Sequence, residues 1–77
     1  MIEIYGKDFC PYCDRAIALC EQKGLEFKYN KLGLDYEKED LMEKFPGART
    51  FPQIKAHGEN IGGYTDLVAW VDGHRRL

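Results

Sequence analysis

A strand signal, a helix signal and a second strand signal follow one another within about 30 residues at the start of the chain, the length of a βαβ unit. This order restricts the possible folds more than any other feature. Ile2 to Tyr5, IEIY, alternates apolar and polar residues and is rich in strand formers. Gly6 to Phe9 read as a loop. From Pro11 the period changes, and Ala16, Ile17, Leu19 and Cys20 recur at helical spacing. Pro11 suits a first helical position, because its missing N–H would be unpaired there in any case. Gly24 follows Lys23 as a helix stop. Leu25 to Asn30, LEFKYN, then alternates again. A parallel pair with a right-handed helical crossover satisfies all three signals.

The remainder adds a helix, a hairpin and a last helix. Asp35 is the expected N-cap of YEKEDLMEKF, with Leu41, Met42 and Phe45 on its inner face. PGART breaks that helix. PQIKA and ENIGG read as an antiparallel hairpin turning at His57 and Gly58. TDLVAWV closes the series as a short helix, capped by Thr65 and stopped by Gly73. The order is βαβαββα, an α/β sandwich expected to form one domain over residues 1–77, without repeats, linkers or low-complexity tracts. Seventy-seven residues lie near the lower limit for folding on one apolar core, and the 44% hydrophobic content with five Tyr, four Phe and one Trp can supply it.

Composition also removes function classes. The net charge is −2 and both signs are interspersed, unlike the clustered basic excess of a nucleic-acid binder. The chain has no Ser, so covalent chemistry falls mainly to cysteine. The start, MIEIYG, lacks the basic stretch and apolar run of a signal peptide. No apolar run exceeds five residues, so no membrane span is expected and the reducing cytoplasm is the expected location. Three cysteines are too few, and odd in number, for a disulfide scaffold.

Two of those cysteines stand in KDFCPYCDRA, at the start of the first helix. A nucleophilic cysteine must be a thiolate, and a free thiol is mostly protonated near neutral pH. A helix N-terminus favours the anion through its unpaired N–H groups and the positive end of its dipole. Cys10 sits at that terminus, and Lys7 can add a positive charge nearby. Cys13 lies on the first turn, where its sulfur can face that of Cys10 and resolve a mixed disulfide. Pro11 stiffens the turn, and Tyr12 can present its ring beside the thiol. Zinc would need two further ligands at knuckle-like spacing, and Cys20, His57 and His74 form no such pair. Cys20, among Ala16, Ile17 and Leu19, reads as a small buried hydrophobe.

With these residues in place, the chain resembles the glutaredoxins, small thiol–disulfide oxidoreductases of thioredoxin-like fold that use glutathione. The resemblance runs through IEIYGKDFCPYCDRA, the KG that closes the first helix, GARTFPQI and IGGYTDL, in that order and nearly end to end. It implies a four-stranded mixed sheet flanked by helices. It also implies that Pro52 forms a cis peptide facing the thiols and leaves the Phe51 backbone to pair with the cysteinyl part of glutathione. Gly62, Gly63, Tyr64, Thr65 and Asp66 would take the γ-glutamyl end, with helix N–H groups on its carboxylate and Asp66 on its ammonium group. Lys7 would meet the glycyl carboxylate, with Lys44 or Arg49 as weaker partners, and Tyr12 would line the groove. Trp70, Tyr5, Phe27, Tyr29 and Phe45 read as packing residues.

Some positions depart from the pattern. Asp14 stands where relatives often carry a basic residue, Phe51 replaces a more usual Val, and Tyr64 a frequent Cys. The compact form is similar to bacterial and viral members. The implied activity is reduction of protein disulfides and glutathione mixed disulfides by Cys10 as nucleophile and Cys13 as resolving thiol. Glutathione would be the co-substrate, with no metal or bound cofactor, and the chain would act as a monomer. Disulfide-containing or glutathionylated proteins would be its partners, ribonucleotide reductase among them. Two alternatives are a relative reduced by thioredoxin reductase, and a glutathione-ligated iron–sulfur carrier using Cys10.

Overall fold

In a computed structural model that describes residues 1–75, the chain runs β1 (Ile2–Gly6), α1 (Pro11–Gln22), β2 (Phe27–Lys31), α2 (Lys38–Lys44), β3 (Gln53–Ala56), β4 (Glu59–Gly62) and α3 (Tyr64–Arg75). The expected order βαβαββα is the observed one. The strands form one mixed sheet in the order β2-β1-β3-β4. β1 runs parallel to β2, with Ile2 opposite Phe27 and Gly6 opposite Lys31, and antiparallel to β3, with Ile4 opposite Ile54. β3 and β4 form the expected antiparallel hairpin, with a register shift between Ile54 and Lys55. The fold is the α/β, thioredoxin-like one.

Strand alternation divides the interior into two layers. Ile2 and Ile4 of β1 and Ile54 and Ala56 of β3 pack with Ala16 and Cys20 of α1 and with Leu67 and Val71 of α3. Tyr5 points to the opposite face, where it joins Tyr36, Leu41 and Phe45 in a second cluster under α2. Its ring meets Tyr36 and Phe45 edge-on, with centroids 5.3 and 5.4 Å away. Each large aliphatic side chain withdrawn from water this way contributes about 1.5–3 kcal/mol. Cys20 is fully buried in the first layer, as its spacing predicts, and burial first, then the Glu21 charge, pushes its thiol pKa up. Trp70 is half-buried against the same layer.

Three boundaries differ from the sequence reading. α2 begins at Lys38, not after Asp35. The Asp35 carboxylate instead accepts the Lys31 N–H at 2.9 Å, and Glu37 takes the cap position with its own N–H bonded to Asp40. Met42 is exposed rather than inward, because Leu41 and Phe45, one turn apart, define the buried stripe. Thr65 lies inside α3, which starts at Tyr64, and Gly73 is also helical. The cap is made from within, Asp66 reaching back to the Gly63 N–H at 2.9 Å.

Gly6 closes β1 rather than opening a loop, and it is closely packed on every side. Its carbonyl accepts the Tyr36 hydroxyl and the Leu32 N–H, each at 2.8 Å. A Cβ on Gly6 would stand 2.7 Å from the Tyr29 hydroxyl oxygen and 2.9 Å from the Cys13 sulfur. Both are closer than any side-chain carbon tolerates. Gly6→Ala should therefore lower stability by about 1–3 kcal/mol, the usual range for overpacking, as read by urea unfolding. An unchanged midpoint would show that the β2–α1 gap can widen freely.

Burial raises the Tyr36 phenol pKa to about 12, with smaller contributions from Tyr29 and Tyr5. The folded state then keeps a proton that the unfolded chain releases near the ordinary value of 10. Its stabilisation is complete below pH 10 and is lost as the pH rises towards 12. Thermal melts across that window should fall, and those of Tyr36→Phe should fall less steeply. Parallel curves for the two proteins would contradict this assignment.

Candidate active site

The reactive end of the molecule is built on the β1–α1 connection. Phe9 holds φ 55°, a region bulky side chains rarely enter, and its ring is wholly exposed. Cys10 follows in extended conformation as the N-cap of α1, with Pro11 at the first helical position as the sequence predicts. The Cys10 sulfur accepts the Cys13 N–H at 3.2 Å, and the Cys10 carbonyl receives the Cys13 and Asp14 N–H groups at 3.1 and 3.2 Å. One N–H of the first helical turn, that of Cys13, thus meets the Cys10 sulfur, which favours negative charge there.

Cys10 and Cys13 are joined in a disulfide, with their Cα atoms 5.2 Å apart. Cys10 keeps 9% of its surface exposed and Cys13 none. The two cysteines thus differ in access to solvent. Asp14 is exposed and acts on Tyr29. Burial of the Tyr29 phenol raises its pKa first, and the Asp14 and Asp8 charges raise it further. Asp8 is itself paired with Lys31 at 2.8 Å. His74, weighed above as a metal ligand, has its side chain outside the described residues.

Beside this turn lies a groove of about 360 Å³. It gathers Tyr12, Phe51, Pro52, Gly63, Tyr64, Thr65 and Asp66 from three separated segments, together with Thr50. The Phe51–Pro52 peptide is cis. The Tyr12 and Tyr64 rings tilt against one another with centroids 5.9 Å apart, and the Arg15 guanidinium lies 5.2 Å from the Tyr12 centroid. Gly62 has φ 110°, and a Cβ there would run into the Asp66 carboxylate. The groove therefore ends on the start of α3, at the Asp66 carboxylate that accepts the Gly63 N–H.

Lys7 is not in that groove. Its ammonium lies 5.4 Å from the centre of the Phe51 ring and lines an adjoining cavity of about 450 Å³ with Lys38 and Arg49. Phe51 borders both, so the two form one path across its ring. Lys44 lines neither, and its carbonyl holds the Asn60 side chain at 2.9 Å. A larger cavity, about 510 Å³ beneath the 46–50 loop, contains neither cysteine. The sequence reading missed Thr50 and Lys38, and it placed Gly6 in a loop. Thr50 was legible only as the residue before Phe51–Pro52.

Comparison with known proteins agrees with this geometry. The family model described as Glutaredoxin matches residues 2–61. Glutaredoxin 3 of Escherichia coli is 43% identical over 68 residues, covering 88% of this chain and 82% of that protein. Reduced Escherichia coli glutaredoxin superposes with a TM-score of 0.81 at 35% identity, over 99% of this chain and 98% of that one. A buckwheat glutaredoxin solved as a complex with glutathione superposes at 0.68, with 29% identity, over 94% of this chain and 69% of that one. With a disulfide-linked cysteine pair at its first helix start and the family model matched over residues 2–61, the chain belongs to the glutaredoxin family of thiol–disulfide oxidoreductases.

Proposed function

We propose that this oxidoreductase takes its electrons from glutathione and reduces glutathione mixed disulfides and protein disulfides. The observation that carries the reading is the path across Phe51. One end offers the Asp66 carboxylate at the start of α3, and the other offers the cations Lys7 and Arg49. A tripeptide with an amino-acid head at one end and a carboxylate at the other matches that polarity. The cis Phe51–Pro52 peptide lies between, and Tyr12 joins it to the CPYC turn.

In this reading Cys10, as thiolate, attacks the substrate disulfide and bonds to one of its sulfurs, while the other leaves as a thiol. For a glutathionylated protein, the glutathione sulfur stays on Cys10. A second glutathione attacks it, releasing oxidised glutathione and the Cys10 thiolate. For a protein disulfide, Cys13 attacks Cys10, frees the reduced protein and leaves the Cys10–Cys13 disulfide, which two glutathiones reopen. Sulfur carries the electrons throughout, so the reading needs no metal or bound cofactor. It places the chain as a cytoplasmic monomer, with ribonucleotide reductase as one candidate acceptor.

The test compares NADPH oxidation on a glutathione mixed disulfide, with glutathione and glutathione reductase in one arm and thioredoxin reductase alone in the other. Turnover should require glutathione. Turnover with thioredoxin reductase alone would overturn the reading, and visible absorption after anaerobic purification would favour a cluster carrier instead. Cys10→Ser should abolish all activity, whereas Cys13→Ser should retain deglutathionylation and lose the intramolecular disulfide. If both variants were equally inactive, the assigned roles would be wrong. Asp66→Asn, which keeps the bond to Gly63 but drops the charge, should raise the KM for glutathione about tenfold, the effect of about 1.4 kcal/mol. An unaltered KM would remove Asp66 from the glutathione site.

A further inference from the structure

Cys13 presents a problem that the mechanism leaves open. When glutathione attacks Cys10, the bond between Cys10 and Cys13 breaks and its electron pair departs on the Cys13 sulfur. That sulfur is fully buried. A thiolate forming there has no direct access to water and needs a donor from the protein. Its own backbone N–H is already directed to the Cys10 sulfur and carbonyl. The Tyr29 hydroxyl is the neighbouring candidate, since it and the Cys13 sulfur both lie within 3 Å of the point where a Cβ on Gly6 would sit.

We propose that the Tyr29 hydroxyl donates a hydrogen bond to the Cys13 sulfur as the disulfide opens, making Tyr29 a positioning residue for the resolving thiol. Tyr29 reaches this place from β2, beneath the start of α1, so its position is independent of the CPYC turn. In the disulfide state its hydroxyl points to the Lys7 carbonyl, across a long 3.4 Å contact that a small rotation of the O–H can exchange. The charges around the phenol come from every neighbouring element: Asp14 on α1, Asp8 on the preceding loop, Lys31 on β2 and Asp35 beyond it. Tyr36 also interacts with the phenol. Three of these are carboxylates, which hold the phenol proton in place so that it can be shared but not lost. The bond changes balance without a further reactant. The attacking glutathione sulfur bonds to Cys10, the electron pair goes to Cys13, and the phenol keeps its proton while sharing it.

This inference rests on the dithiol route of the proposed function, so its test includes a measurement that does not. The equilibrium between the Cys10–Cys13 disulfide and reduced glutathione is set in defined redox buffers and read by thiol alkylation. Tyr29→Phe should move it about fivefold towards the disulfide, the effect of losing one net hydrogen bond from the reduced form. No shift, or a shift towards the dithiol, would overturn the inference whatever the natural substrate is. The second measurement is the ratio of protein-disulfide reduction to deglutathionylation. It should fall severalfold in Tyr29→Phe. In a Cys13→Ser background the same substitution should leave the deglutathionylation rate within about twofold. Equal losses in both assays, or a large loss in the Cys13→Ser background, would mark Tyr29 as structural only and overturn the inference.

Discussion

The absence of one Cβ, at Gly6, sets how closely the sheet and the first helix approach each other. Three elements meet at that residue. The end of β1 passes under the start of α1, and β2 brings the Tyr29 ring against both. A hydrogen in place of a methyl group lets the Cys13 sulfur and the Tyr29 hydroxyl occupy the space above the backbone. On the other side, the same residue's carbonyl is held by Tyr36 and Leu32. The reactive turn is thus mounted directly on the sheet, not carried on a mobile loop.

From that mounting the rest of the site follows by topology. β3 pairs with β1 and runs antiparallel to it, so the residues just before β3, Phe51 and Pro52, come to the end of the sheet where β1 gives way to α1. β4 then returns to the same end and hands over to α3, which brings Gly63 to Asp66 alongside. Segments distant in sequence therefore share one rim. The electrostatics of that rim are divided: helix N-termini and a carboxylate on the α3 side, and lysine and arginine beyond Phe51 on the α2 side.

Most of this was legible from residues alone, because each strong signal had one physical solution. Pro11 after Cys10, ahead of a helical period, suits a first helical position, and His57-Gly58 between two short strand signals suits a turn. The signals that misled were those with two good solutions. Asp35 and Glu37 can both begin a helix, and Asp35 was claimed by the Lys31 N–H in a local turn, the competition that short acidic side chains commonly enter. Thr65 looked like a cap, but α3 starts at Tyr64, with Asp66 reaching back to Gly63. Met42 and Leu41 are neighbours on the helix, and only packing decides which faces inward. Gly6 and Tyr29 were unreadable in principle, since their significance lies in a contact between β1, β2 and α1 that no local pattern encodes.

Cys20 completes the account of the thiols in a different sense. It shares α1 with the reactive pair, yet it is sealed in the apolar layer with its thiol held protonated. The helix thus separates two kinds of sulfur chemistry by two turns of distance and a wall of aliphatic side chains. In the folded protein the Cys20 thiol is shielded from a thiol reagent, and unfolding opens it to one. The third cysteine is a silent label for the integrity of the core, reporting the loss of structure with a signal that the redox state of the other two can be made to leave unchanged.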